Sequence, residues 1–112
     1  MSFHISELQS IKNSLQGWFK GSLKSEISVR IRTFEPYINE IKNASEQDRI
    51  ELLDKYLKIA TSLRHSALAM GANGPKDPNW AAAAVVESWV CLYRDGTSQE
   101  IAHGERIINE MR

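Results

Sequence analysis

Between Trp80 and Tyr93 the chain reads WAAAAVVESWVCLY, and only Glu87 and Ser88 in that run are polar. A helix that is apolar nearly all round cannot lie on a surface. It needs neighbours on every side, from its own chain or from a second copy. Its ends are punctuated in keeping with a helix of about residues 78–95. Asp77-Pro78 supplies an N-cap followed by proline at the first helical position. Ala81–Ala84 combines the highest helix propensity with the least side-chain volume, so neighbouring helices can approach closely there. Trp80, Trp89 and Tyr93 fill the space further along, and Gly96 is placed to stop the helix as a C′ residue.

The rest of the chain supplies candidates for those neighbours. Ile5, Leu8, Ile11, Leu15, Trp18 and Phe19 recur at spacings of three and four, one apolar face of a first helix. Ser6 and Gln9 offer it a weak capping box, Gly17 weakens it, and Gly21-Ser22 is its expected stop. Over 26–34 two periods compete. Ile27, Val29 and Ile31 alternate as in a strand, while Leu23, Ile27, Ile31, Phe34, Ile38 and Ile41 repeat as in a helix. The longer pattern and the lack of a second strand-like run favour helix. Pro36 pushes Glu35 away from the α region, so a break or kink is expected near 32–35, with Thr33 as a fresh cap.

Ser45, with Glu46 and Asp48 behind it, opens a third helix that Gly71 ends. Its apolar residues form two rows: Leu53, Leu57, Ala60 and Ala67 in one, Leu52, Tyr56, Ile59, Leu63 and Met70 in the other. A face that broad packs against two neighbours. Thr97 and Glu100 form a capping box for a last helix, with Ile101, Gly104, Ile108 and Met111 inward and Ile107 alongside. The expected fold is a single all-α domain over 1–112, a bundle of four to five helices around a central apolar one.

Composition excludes several function classes. With 42% hydrophobic and 25% charged residues the chain is an ordinary globular sequence rather than a disordered one. Fourteen basic residues balance fourteen acidic ones, so no overall field draws it to nucleic acid or to an anionic membrane. Residues 1–34 alone hold a mild positive excess. The opening MSFHISELQ lacks the basic and apolar regions of a signal peptide, and no apolar run reaches the ~18 residues of a membrane span. A soluble cytoplasmic protein is expected.

Candidate chemistry is sparse. Glu100-Ile-Ala-His103 matches the Glu-x-x-His unit of di-iron bundles, but it occurs once and without the further glutamates such a site needs. His65, beside Arg64, lies on a hydrophilic helical side with no orienting carboxylate evident. The lone Cys91 sits in the most apolar stretch, where an inert buried thiol is expected. GANGPKDPN lacks the spacing and the terminal Lys-Ser/Thr of a phosphate loop. No catalytic residue, metal or cofactor is therefore expected.

What remains is recognition. Asn73 and Lys76 in that loop, with Trp80, Arg64 and His65, are the candidate partner-binding residues. The expected function is that of a small helical interaction or regulatory protein (an adaptor, inhibitor or accessory subunit) with a protein partner. A homodimer is expected on the ground that so short a chain strains to cover an all-apolar helix. The alternative is a nucleic-acid-associated regulator using Lys20, Lys24, Arg30 and Arg32 beside Trp18 and Phe19.

Overall fold

The apolar run folds as its composition requires, into a helix enclosed on all sides. The computed structural model describes residues 3–15, 21–71 and 77–112, and within them five helices: α1 (Phe3–Ser14), α2 (Gly21–Asn43), α3 (Glu46–Ala69), α4 (Pro78–Asp95) and α5 (Ser98–Glu110). Among the described residues there is no strand. The Asp77 carboxylate accepts from the backbone N–H of Asn79 at 2.9 Å and of Trp80 at 3.4 Å, capping α4 at its start. At its end the Gly96 N–H donates to the Leu92 carbonyl at 2.8 Å. Gly96 is the cap itself and its backbone is extended (φ −85°, ψ 155°), not left-handed. Glycine is needed there for space: a Cβ would stand 2.7 Å from the Leu92 carbonyl oxygen.

Every residue from Ala81 to Tyr93 is buried except Glu87, which is half-buried. The cover comes from one chain. α4 packs against α1, α2, α3 and α5, while α1 packs on α5 and α2 on α3. Ion pairs close the remaining gaps. Arg64 joins α3 to Glu7 of α1, and Lys42 and Glu35 on α2 meet Glu105 of α5 and Arg112 just beyond it. Four helices thus form a closed ring around the fifth. Each large side chain sealed in this way contributes roughly 1.5–3 kcal/mol. Neighbours are not in short supply, so the ground on which a second copy was expected is gone.

The surrounding helices follow their periodicity with four corrections. α1 already begins at Phe3, so Ser6 lies inside it rather than capping it; Ile5, Leu8 and Ile11 are its buried face. The expected stop of α1 and its Trp18 and Phe19 lie outside the described residues. α2 is helical through 26–34 and runs unbroken across Pro36. Proline withdraws the N–H that would pair with the Arg32 carbonyl. Pro36 and Arg32 are both exposed, so water can serve that carbonyl, while buried Ile31, Phe34 and Ile38 hold the helix on either side. Thr33 caps nothing; its hydroxyl donates back to the Val29 carbonyl at 2.8 Å.

α3 opens at Ser45, whose hydroxyl accepts from the Asp48 N–H, and stops at Gly71, whose φ of +88° favours glycine. Leu53, Tyr56, Ala60 and Ala67 are buried, but Ile59 and Met70, expected inward, remain exposed. α3 does have two helical neighbours, α4 and α2, yet together they cover less than its apolar width. α5 carries the expected capping box, with Thr97 and Glu100 each bonded to the other's backbone N–H. Gly104 is buried against Leu92 of α4.

Candidate functional site

Glu87 and Ser88, the two polar residues of the Trp80–Tyr93 run in α4, mark where the ring is joined by charge instead of by apolar packing. Adjacent on the helix and so roughly 100° apart, Glu87 faces α3 and Ser88 faces α1. Between them the Arg64 guanidinium reaches in from α3. Its Nη1 lies 2.6 Å from Glu87 Oε1 and 3.3 Å from Glu7 Oε1, and its Nη2 lies 2.9 Å from Glu7 Oε2. Ser88 Oγ donates to Glu7 Oε1 at 2.8 Å, and Thr61 Oγ1 donates to Glu87 Oε2 at 3.1 Å. The guanidinium also stacks on Trp80, 4.6 Å from the ring centroid.

The Arg64, Glu7 and Glu87 side chains are only 10–20% exposed. Burial by itself would lower the Arg64 pKa, but Glu7 and Glu87 outweigh it and hold the group above the ordinary arginine value. Arginine suits the position because its planar fork can serve two carboxylates while its face lies on an indole. A shallow groove of about 230 Å³ opens beside this cluster, lined by Phe3, Ser6, Glu7, Ser10, Ile11 and Trp80.

A second polar group closes the other end of α4. Arg49 donates to the Tyr93 carbonyl at 3.2 Å, and the Tyr93 ring lies 5.8 Å from the Arg49 guanidinium and 5.9 Å from the Lys42 ammonium. Burial first, and then Glu105, push the Tyr93 hydroxyl up to about 12. Between α2 and α3, Tyr37 and Tyr56 stack at 4.6 Å. The Tyr56 hydroxyl donates to Glu40, and that bond, ahead of burial, raises it to about 12.

Of the residues singled out from sequence, Arg64 and Trp80 come together. His65 is exposed and takes no part in the cluster that holds Arg64. Asn73, Lys76, Lys20 and the loop's phosphate-binding question lie outside the described residues. Lys24 and Arg32 are exposed on α2, whereas Arg30 is half-buried with its guanidinium 3.8 Å from Glu26. Arg32 donates to its own helix at the Ser28 carbonyl, 3.4 Å away. Cys91 is buried, and burial pushes its thiol up, away from the reactive thiolate. The Glu100 side chain is committed to the Thr97 N–H, which takes it out of the Glu-x-x-His unit. Among the described residues no group of three or more His, Cys, Asp or Glu side chains could hold a metal ion.

Sequence reasoning missed Glu7 and Thr61, which look like surface residues of amphipathic helices. The available signal was on the other side: Glu87 and Ser88 alone among apolar neighbours demand polar partners. Among the described residues no helix is long and apolar enough to cross a membrane. The chain matches no protein-family model, no curated protein and no solved structure.

Proposed function

We propose that this protein is a small helical binding module that receives an amphipathic helix of a partner protein along α3. The observation that supports this reading is where the apolar surface remains. The large apolar side chains exposed among the described residues are Phe3, Val29, Ile50, Ile59, Leu68 and Met70; four belong to α3 or its cap, of which Ile59 and Met70 share one face while Ile50 and Leu68 lie roughly half a turn away from Ile59. With half-buried Leu52 and Leu63, the residues Ile59 and Met70 form a stripe at intervals of seven, four and seven. That spacing repeats on whole turns over roughly 27 Å, the pattern a partner helix reads in groove recognition. α4, by far the more apolar helix, has no such surplus because it is fully enclosed. The exposed residues on α3 therefore reflect position rather than composition.

The test places a photo-crosslinking amino acid at Ile59, at Met70 or, as control, at the exposed Lys58, in cell extract of the native host. The reading expects one protein adduct from positions 59 and 70, absent from 58 and competed by unmodified protein but not by an Ile59→Asp variant. Equal labelling from position 58, or no adduct, would overturn it. Light scattering with the purified chain separates a foreign helix from a second copy in the same place.

A further inference from the structure

We propose that α1 and α5 form one cover over α4, and that this cover opens as a unit while α2, α3 and α4 stay packed. The first observation is how the close packing divides. α2 and α3 lie on each other and on α4, and α1 and α5 likewise lie on each other and on α4. The two helices of the cover interlock. A Cβ at Gly104 of α5 would meet Ile5 Cδ1 at 3.4 Å and Leu8 Cδ1 at 3.6 Å, both from α1. Lys12 of α1 also pairs with Glu110 of α5.

The second is how the edges of the cover are fastened. Ion pairs span both: Arg64 with Glu7 between α3 and α1, and Lys42 with Glu105 and Glu35 with Arg112 between α2 and the end of the chain. The side chains of the last two pairs are 26–42% exposed, so salt reaches them and each holds weakly. The apolar hold lies mainly on the other side of α4. α2 alone buries Leu23, Ile27, Ile31, Phe34, Ile38 and Ile41, whereas α1 buries Ile5, Leu8 and Ile11, and α5 buries Ile107 and Ile108. The third observation is length. α1 and α5 have 12 and 13 residues against 23 and 24 in α2 and α3. Helices that short are marginal in water, so once off α4 they lose their own hydrogen bonds.

Opening uncovers one strip of α4. Ser88 lies under α1 through its bond to Glu7, and Leu92 lies under Gly104 of α5. Ala81 and Val85 stand two turns earlier on the same face, and all four are buried while the cover is closed. The device goes beyond the α3 reading and is independent of it, since Leu52, Ile59, Leu63 and Met70 belong neither to the cover nor to the strip beneath it.

Hydrogen exchange of the full chain, read by mass spectrometry and corrected for intrinsic rates, tests it. Amides of α1 and α5 are expected to share one protection factor, about 10-fold or more below that of the core of α2, α3 and α4. Glu35→Gln combined with Glu105→Gln removes both pairs to α2, and neither residue is on α1. That variant should speed exchange in α1 and α5 alike by roughly 2- to 10-fold, the scale of two partly exposed ion pairs, and leave the Tyr56–Ala60 region of α3 unchanged. Sodium chloride at about 1 M screens the same pairs without a substitution and should accelerate the two helices together, which keeps the test valid if the variant fails to fold. Acceleration confined to α5 would make it a separate flap, and equal protection of all five helices would make the bundle one cooperative unit; either result overturns the proposal.

Discussion

Arg64 Nη2 lies 2.9 Å from Glu7 Oε2, a bond between residues 57 apart in sequence that fastens α1 to α3 over the polar step of α4. The same guanidinium holds Glu87 at 2.6 Å, so one side chain ties three helices together.

Truncating it should expose how much of the fold depends on paired charge. Arg64→Ala leaves two mostly buried carboxylates unpaired and is expected to cost ~3 kcal/mol, well above the 0–1 kcal/mol of a surface pair. Replacing the trio together, Arg64→Met with Glu7→Leu and Glu87→Leu, should recover about half of that loss or more, because no charge is then stranded. Urea denaturation of the single and triple variants measures both. A single variant within ~0.5 kcal/mol of the parent would show that water already serves these groups.

Gly104 is where α5 comes closest to the axis. A Cβ there would stand 2.3 Å from Leu92 Cδ1, with Ile5 Cδ1 and Leu8 Cδ1 at 3.4 and 3.6 Å. Alanine gains ~1 kcal/mol of helix propensity over glycine. Overpacking a fully buried leucine costs about 1–3 kcal/mol, so Gly104→Ala should be a net loss of ~1 kcal/mol. Adding Leu92→Ala should then cost less than Leu92→Ala alone, since the two changes share one volume. Thermal melts of the two singles and the double decide this, and strict additivity would rule out the proposed clash.

Alkali should loosen the bundle through two tyrosines. Tyr56 and Tyr93 both have hydroxyls raised from 10 to about 12 in the folded chain. Their folded pKa lies above the unfolded one, so the stability they contribute is complete below pH 10 and is lost as pH rises through 12. Tyrosinate absorbance should show two hydroxyls ionising near pH 12, and Tyr56→Phe and Tyr93→Phe should each remove one. Ionisation of either at its ordinary pH would contradict the Glu40 and Glu105 contacts.

The start of α4 depends on one carboxylate, since Asp77 serves both Asn79 and Trp80. Asp77→Ala should cost ~1 kcal/mol, and Asp77→Ser should restore most of it, because a hydroxyl can accept the same bonds. Denaturant midpoints of the two variants test the pair. Equal losses would assign the effect to something other than capping.

Much of this molecule was legible from local rules. An apolar run bounded by Asp77-Pro78 and Gly96 specified α4 nearly to the residue, and Thr97 with Glu100 specified the start of α5, because caps and periodicity act within a few residues. The continuity of α2 was not legible. Pro36 signals a break locally, and only the burial of Ile31, Phe34 and Ile38 against α4 and α3 overrides it. The same holds for Ile59 and Met70, whose spacing says inward while the finite width of two neighbours leaves them out.

The apolar axis was determined by the sequence alone: Trp80–Tyr93 has to be enclosed, whatever surrounds it. Which chain encloses it, and which residues answer Glu87 and Ser88, was decided by tertiary structure. Glu7, Thr61 and Arg64 are ordinary surface types on their own helices, and nothing nearby in the chain requires them to meet. They become a cluster only when helices distant in sequence close around α4, because burial turns solvated charges into groups that must find one another.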